Sequence, residues 1–79
     1  MKSKYLIIED KGLEIPILFS PLFKHNEVLG GKMAVSAGFC RIKSVNPLVV
    51  ETWGNSVGLN LNSRPEDKGI IESLLEYSI

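Results

Sequence analysis

The sequence predicts a small α+β domain, in which an antiparallel, twisted sheet carries two helices packed on one of its faces. Three observations predict this class. The chain has 79 residues, which suits a single domain over residues 1–79. Short β-rich runs separated by turn residues occupy most of it. Two segments begin with helix-capping residues and continue with apolar residues at helical spacing. The predicted order is β-β-α-β-β-β-α.

The first two strands are predicted to form a hairpin. Residues 4–8 and 13–19 are apolar runs on either side of a polar loop that ends in Gly12. Glycine is the natural residue for the positive φ that such a turn requires. Pro16 has no N–H to donate to a neighbouring strand, so the second strand is expected at a sheet edge or at a bulge.

The first helix and the strand after it follow from capping residues and from alternation. Ser20 and Pro21 are typical of a helix start, and Gly30 with Gly31 is typical of a stop. In the strand over 32–43 the apolar positions change phase beyond Phe39. Because Gly38 stands beside this change, we expect a β-bulge near Gly38–Phe39.

A second hairpin is predicted from residues 48–53 and 56–61, joined by a two-residue loop of Gly54 and Asn55. This register pairs Trp53 with Ser56. It places an almost wholly apolar set on one face: Leu48, Val50, Thr52, Val57, Leu59 and Leu61. The other face carries Val49, Glu51, Trp53, Ser56, Gly58 and Asn60.

The last helix is predicted to begin at a capping box, in which Ser63 is the N-cap and Glu66 reaches back to it. Pro65 lies in the first turn, where proline is tolerated. The core-facing stripe is Ile70, Ile71, Leu74 and Leu75, with Tyr77 as a further candidate. The opposite face carries Lys68, Glu72 and Glu76, a weaker candidate for an interaction surface and typical of a solvated face.

The chain offers little catalytic chemistry. A single cysteine excludes a disulfide within the chain. One cysteine and one histidine are also too few ligands for a cysteine/histidine zinc site. Cys40 and His25 are the only nucleophile–base pair, and nothing in their spacing demands contact, so a strand cysteine and a polar helix histidine are the simpler interpretation. Ser36 lies in a stretch similar to a nucleophile elbow that lacks its first glycine. Residues 30–32 do not complete a phosphate loop. We expect a protein that is not an enzyme and has no cofactor; a Cys40-dependent activity is the third interpretation.

The remaining functional signal is a surface on the predicted hairpin. Val49, Glu51 and Trp53 share the sheet face away from both predicted helices, where Trp53 is expected to be at least partly exposed in an isolated monomer. Tryptophan is enriched at interface hot spots, which indicates a protein-binding surface. The alternative is that Trp53 simply covers Gly58 on the neighbouring strand.

Charge and targeting signals limit the partners and the location. Nine basic and nine acidic residues cancel, which argues against a general nucleic-acid binder. A nucleic-acid-associated role would use Lys32, Arg41 and Lys43 along one strand, and it is kept as the alternative function. The apolar run from Tyr5 to Ile8 is too short for a signal peptide or a membrane helix. With one unpaired cysteine, the chain is expected in the cytoplasm.

Three stretches, Gly31–Cys40, Trp53–Leu59 and Asn62–Asp67, resemble small uncharacterised proteins encoded by bacteriophages and prophages. The resemblance implies a bacterial cytoplasm and an accessory phage role, in which such proteins bind a host or phage macromolecule. Together with the missing catalytic set, it favours a non-enzymatic protein-interaction module. The partner is unknown, and a second copy of the chain, giving a homodimer, is one candidate.

Overall fold

A computed structural model describes residues 2–78 and confirms the α+β class. Strands β1 to β4 form one antiparallel sheet in the order β2-β1-β3-β4, and β5 pairs with β6 in a separate two-stranded sheet. The order thus contains one strand more than predicted. The elements are β1 (Lys2–Asp10), β2 (Leu13–Phe19), α1 (His25–Leu29), β3 (Met33–Val45), β4 (Leu48–Trp53), β5 (Asn55–Ser56), β6 (Leu61–Asn62) and α2 (Asp67–Ser78).

The β1–β2 hairpin forms as predicted. Asp10 pairs with Leu13, and Lys11 and Gly12 between them have φ values of 53° and 81°. Two consecutive positive φ angles are typical of the tight turns that match strand twist. β2 lies at the edge of the sheet. Pro16 has no N–H, and at an edge strand this removes no hydrogen bond between central strands.

The prediction that both helices pack on one face is wrong. Tyr5 and Ile7 of β1 are buried with Ile71 of α2, whereas Leu6 and Ile8 are buried in a second cluster that includes residues of α1. Successive side chains of a strand point to opposite faces, so α1 and α2 cover opposite sides of the sheet. The uninterrupted apolar run over 5–8 is typical of a strand that is buried on both faces.

The bulge predicted near Gly38–Phe39 is also misplaced. The pairing of β3 with β1 shifts at Val35, and its pairing with β4 shifts at Lys43. Gly38 itself pairs regularly with Tyr5. Both faces of the sheet are covered, so apolar side chains of β3 are buried on either face. The change of apolar phase beyond Phe39 therefore needs no extra residue at that point. Gly38 serves close packing instead, since a Cβ there would lie 2.6 Å from the carbonyl oxygen of Trp53.

The predicted second hairpin is replaced by two different pairings. Trp53 pairs with Phe39 of β3, and the chain then turns at Gly54, whose φ is 80°. Ser56 pairs with Leu61, so the hairpin tip lies at residues 57–60. The predicted apolar face is divided as a result. Leu48 and Val50 pack on the α2 side, Leu59 and Leu61 pack on the α1 side, and Val57 is 87% exposed.

Both helices begin later than predicted. Ser20 and Pro21 form a turn, closed by a bond from the Phe23 N–H to the Ser20 carbonyl, and α1 starts only at His25. Ser63 does not act as the N-cap of α2: it lies in the loop after β6, where its N–H donates to the Gly54 carbonyl at 3.0 Å.

The reach-back bond of a capping box is made one residue further along than predicted, from the Arg64 N–H to Asp67 at 2.9 Å. Tyr77 is exposed and stands outside the apolar stripe of α2. No helix within residues 2–78 is long and apolar enough to cross a lipid bilayer.

Candidate functional site

The three predicted site residues lie together at one end of the sheet. Val49, Glu51 and Trp53 alternate along β4, which places them on one face, and Trp53 is 38% exposed. The partial exposure of Trp53 is confirmed. Its predicted position opposite both helices is wrong, because this face lies opposite α2 and is shared with α1 and the β5–β6 hairpin, which cover its other part.

Trp53 is held by its cross-strand neighbour. Phe39 pairs with it, and the two rings stack with centroids 6.2 Å apart and planes inclined by 22°. The ammonium of Lys2 lies 5.0 Å from the centroid of the Phe39 ring, in cation–π contact. Gly54 leaves room for this arrangement, since a Cβ there would lie 2.9 Å from the Phe39 ring. The indole is therefore oriented before any partner arrives.

A row of charges crosses the same face. Lys2 of β1 pairs with Arg41 of β3, which in turn pairs with Glu51 of β4. The Nε of Arg41 donates to Oε1 of Glu51 at 2.6 Å. This hydrogen bond is the main reason that the pKa of Glu51 is lowered. The charge of the Glu51 carboxylate is thus balanced by Arg41 of the same chain. Lys2, in contrast, has no acidic residue as its partner in the strand pairing.

Two depressions flank the Phe39–Trp53 pair. A shallow cleft of about 220 Å³ lies between Trp53 and the Arg41–Glu51 ion pair. A larger polar groove of about 460 Å³ lies on the other side. Its lining includes Phe39 and the side chains of Lys4, Lys24, Asn26, Asn55 and Ser56. We call this surface the basic aromatic face, formed by Lys2, Lys4, Lys24, Phe39, Arg41, Glu51 and Trp53.

Most of the basic aromatic face has no signal in the sequence. Lys2, Lys4 and Phe39 were not candidates, because only the pairing of β1 with β3 brings them beside Trp53. Conversely, Lys32 lies nine residues before Arg41, which is about 30 Å along an extended strand. The cations proposed for nucleic-acid binding, Lys32, Arg41 and Lys43, therefore do not form one patch.

His25 and Cys40 lie on opposite sides of the sheet. His25 is buried edge-on against Phe19 and Phe39, and its Nε2 is 2.9 Å from the carbonyl oxygen of Gly38. Cys40 is buried on the α2 side, where desolvation raises the pKa of its thiol to about 11. The two side chains therefore do not form a dyad.

A second site, which sequence analysis missed entirely, is a buried polar cluster beneath the start of α2. The carboxylate of Asp67 is fully buried and accepts hydrogen bonds from the Tyr5 hydroxyl at 2.7 Å and the Ser36 hydroxyl at 2.9 Å. The backbone N–H and the Nε of Arg64 also donate to it, each at 2.9 Å.

Arg64 links this cluster to the surface, because its Nη2 lies 2.8 Å from Oε1 of Glu14 on β2. Burial and Asp67 raise the pKa of the Tyr5 phenol. No buried side-chain nitrogen or oxygen in residues 2–77 lacks a partner, so the cluster is fully satisfied and serves to attach α2 to the sheet. The sequence signal, an acidic residue in the first turn of a helix, predicts a dipole contact on the surface rather than burial.

Within the described part of the chain, no group of three or more histidine, cysteine, aspartate or glutamate side chains could hold a metal ion. In comparisons with known proteins, no family model, no curated protein and no solved structure matches the chain.

Proposed function

We propose that this chain is a small non-enzymatic protein-interaction module whose partner binds the basic aromatic face. The phage accessory role in a bacterial cytoplasm, implied by the resemblance of three stretches, belongs to the same proposal. The observation that carries it is Trp53, which is 38% exposed, lies on a paired strand and stands next to Arg41. Tryptophan and arginine are the residue types that dominate binding energy at protein interfaces.

The geometry favours binding because the anchor is already ordered. The backbone of Trp53 is fixed by pairing with Phe39, and its ring is fixed by stacking. A partner that covers a preorganised ring loses little conformational entropy at that point. The Arg41–Glu51 pair beside it is exposed and suits the polar rim of an interface.

The test compares partner capture and self-association for two exposed apolar positions. The wild-type chain and Trp53→Ala are used for pull-downs from the bacterial host and for sedimentation analysis. Leu13→Ala is the matched control, since Leu13 is exposed at the other end of the sheet. We expect Trp53→Ala to lose the bound protein, or the dimer, while Leu13→Ala keeps it. Equal capture by all three chains contradicts the proposal.

Nucleic acid is the second candidate partner. Lys2 lies over the Phe39 ring, and Arg41 lines a cleft with Trp53; basic residues next to aromatic rings are typical of surfaces that bind single strands. The small number of cations and the zero net charge make it the weaker of the two.

A further inference from the structure

We infer that the segment recognised by the basic aromatic face is an extended acidic peptide. Its carboxylates would lie in the polar groove next to Lys4 and Lys24, and one apolar side chain would lie on Trp53. This inference rests on the proposed function and specifies the chemistry of the partner.

The first support is the local imbalance of charge. The whole chain carries nine basic and nine acidic residues, but the basic aromatic face holds four cations and one carboxylate, with a second carboxylate, Glu27, accepting a hydrogen bond from the Lys24 N–H at 2.8 Å beside it. The carboxylate of the face itself, Glu51, already accepts a hydrogen bond from Arg41. Lys2, Lys4 and Lys24 outnumber Glu27 at the groove end of this face, and the remaining positive potential attracts anionic partners and disfavours cationic ones.

The second support is the shape and lining of the groove. It runs between α1 and the β5–β6 hairpin and reaches Phe39 at one side. Asn26 and Asn55 add amide donors and acceptors, which can pair with the backbone of an extended peptide. Three features follow one another across the sheet: the groove, the Phe39–Trp53 pair and the smaller cleft. A short extended segment can therefore contact all three.

Several contacts favour an acidic peptide over a nucleic acid. Glu51 lines the smaller cleft, where it would face the next phosphate of a continuous strand. The ammonium of Lys2 lies over Phe39, and this occupies a ring face that a base would need for stacking. The Nζ of Lys4 also donates to the Phe23 carbonyl at 2.7 Å. A few partly engaged cations suit separate carboxylates better than a polymer that depends on many phosphate contacts.

Trp53 is the only tryptophan in the chain, so its fluorescence reports directly on the face. The probes are a glutamate-rich peptide with one central leucine, the same peptide with lysine in place of glutamate, the same peptide with serine in place of glutamate, and oligothymidylate. We expect the glutamate peptide to shift the emission and to saturate, and the lysine and serine peptides to have no effect. Lys24→Glu should weaken this binding about tenfold, because an attractive contact becomes repulsive.

Lys32→Glu is the matched control, since it makes the same charge change just before β3, at the end of that strand away from Arg41, and should leave the affinity unchanged. Lys2→Glu is a second test variant on β1 and should also weaken binding. Circular dichroism checks that each variant is folded.

The outcomes separate the inference from the proposed function. If oligothymidylate binds more tightly than the glutamate peptide, or if no probe binds, the acidic-peptide inference is overturned. Equal binding of the serine and glutamate peptides also overturns it, while the role of Trp53 in protein binding survives. If Trp53→Ala still captures the cellular partner, the proposed function itself fails.

Discussion

At the scale of single residues, the buried carboxylate of Asp67 is a position where we expect substitution to lower the free energy of unfolding strongly. It accepts four hydrogen bonds from three residues on β1, β3 and the turn before α2. A buried acceptor of this kind is costly to alter, because each donor loses its partner in a low-dielectric environment.

Asp67→Asn should therefore destabilise the fold by about 2–4 kcal/mol, since the amide group presents donors where only acceptors fit. Urea unfolding measures this, with Asp10→Asn as the control at an exposed strand end. A loss for Asp67→Asn as small as that of the control would show that the cluster contributes nothing to stability.

Cys40 should be unreactive in the folded chain. The pKa of its thiol is raised to about 11 from an ordinary value of 9.0, and the side chain is buried. Its contribution to stability is therefore fully present below pH 9 and is lost as the pH rises through the folded value. We expect alkylation by iodoacetamide at pH 8 to be about a hundredfold slower in the native chain than in denaturant. Rapid native labelling, detected by mass spectrometry, would contradict this and support a Cys40-dependent activity.

At the scale of elements, the sequence predicts local features better than pairings between distant segments. The β1–β2 hairpin, its glycine turn and the edge position of Pro16 depend on neighbours in the chain and are correct. The hairpin predicted around Gly54 and Asn55 is wrong, because Trp53 pairs with Phe39 fourteen residues earlier in the chain. Loop chemistry alone does not indicate that a distant strand is the better partner.

The candidate site shows the same division. Alternation along β4 correctly placed Val49, Glu51 and Trp53 on one face. Lys2 and Phe39 could not be found, because nothing in the sequence fixes which strand lies beside β4 or how the pairing is aligned. The assumption that helices cover one face only also failed, and the fully apolar run over 5–8 was the signal that both faces are buried.

The outer edge of β4 offers a prediction about acid sensitivity. The carboxylate of Glu72 on α2 accepts hydrogen bonds from the ammonium of Lys68 and from the Val50 N–H, the latter at 2.8 Å. The bond from Lys68 first, and then that from Val50, lower the pKa of the carboxyl below the ordinary 4.5. Its contribution to stability is present above pH 4.5 and is lost as the pH falls through the lowered value. Glu72→Gln should therefore be less stable than the wild type at pH 7, and the difference should shrink below pH 4.5.

Urea unfolding across this pH range measures the effect. Glu76→Gln on the exposed part of the same helix is the control and should show no such convergence. A constant gap between Glu72→Gln and the wild type at all pH values would exclude the ionised carboxylate and its bonds to Lys68 and Val50 as the cause of the difference.

At the scale of the whole molecule, the sheet separates two layers of unequal strength. On one side α2 has twelve residues and is attached through Asp67. On the other side α1 has five residues, and β5 and β6 have two each. Six of the seven residues of the basic aromatic face lie on the central sheet, and only Lys24 stands at the start of α1. The groove beside them, however, is bordered by α1 and the β5–β6 hairpin, the part of the fold with least support of its own.

This asymmetry predicts that the thinner layer opens without global unfolding. A five-residue helix is not stable alone, and the apolar residues that hold it, such as Val28 and Leu59, are only partly buried. Amide hydrogen exchange in α1 and β5–β6 should be at least about tenfold faster than in β1 and α2 under native conditions.

Leu59→Ala should accelerate exchange in the thin layer alone. Ile71→Ala removes a fully buried side chain beneath α2, so it should lower global stability by about 2–5 kcal/mol and accelerate exchange everywhere. Equal protection of both layers in the wild-type chain would mean that they unfold as one unit, and the groove would then be as rigid as the central strands.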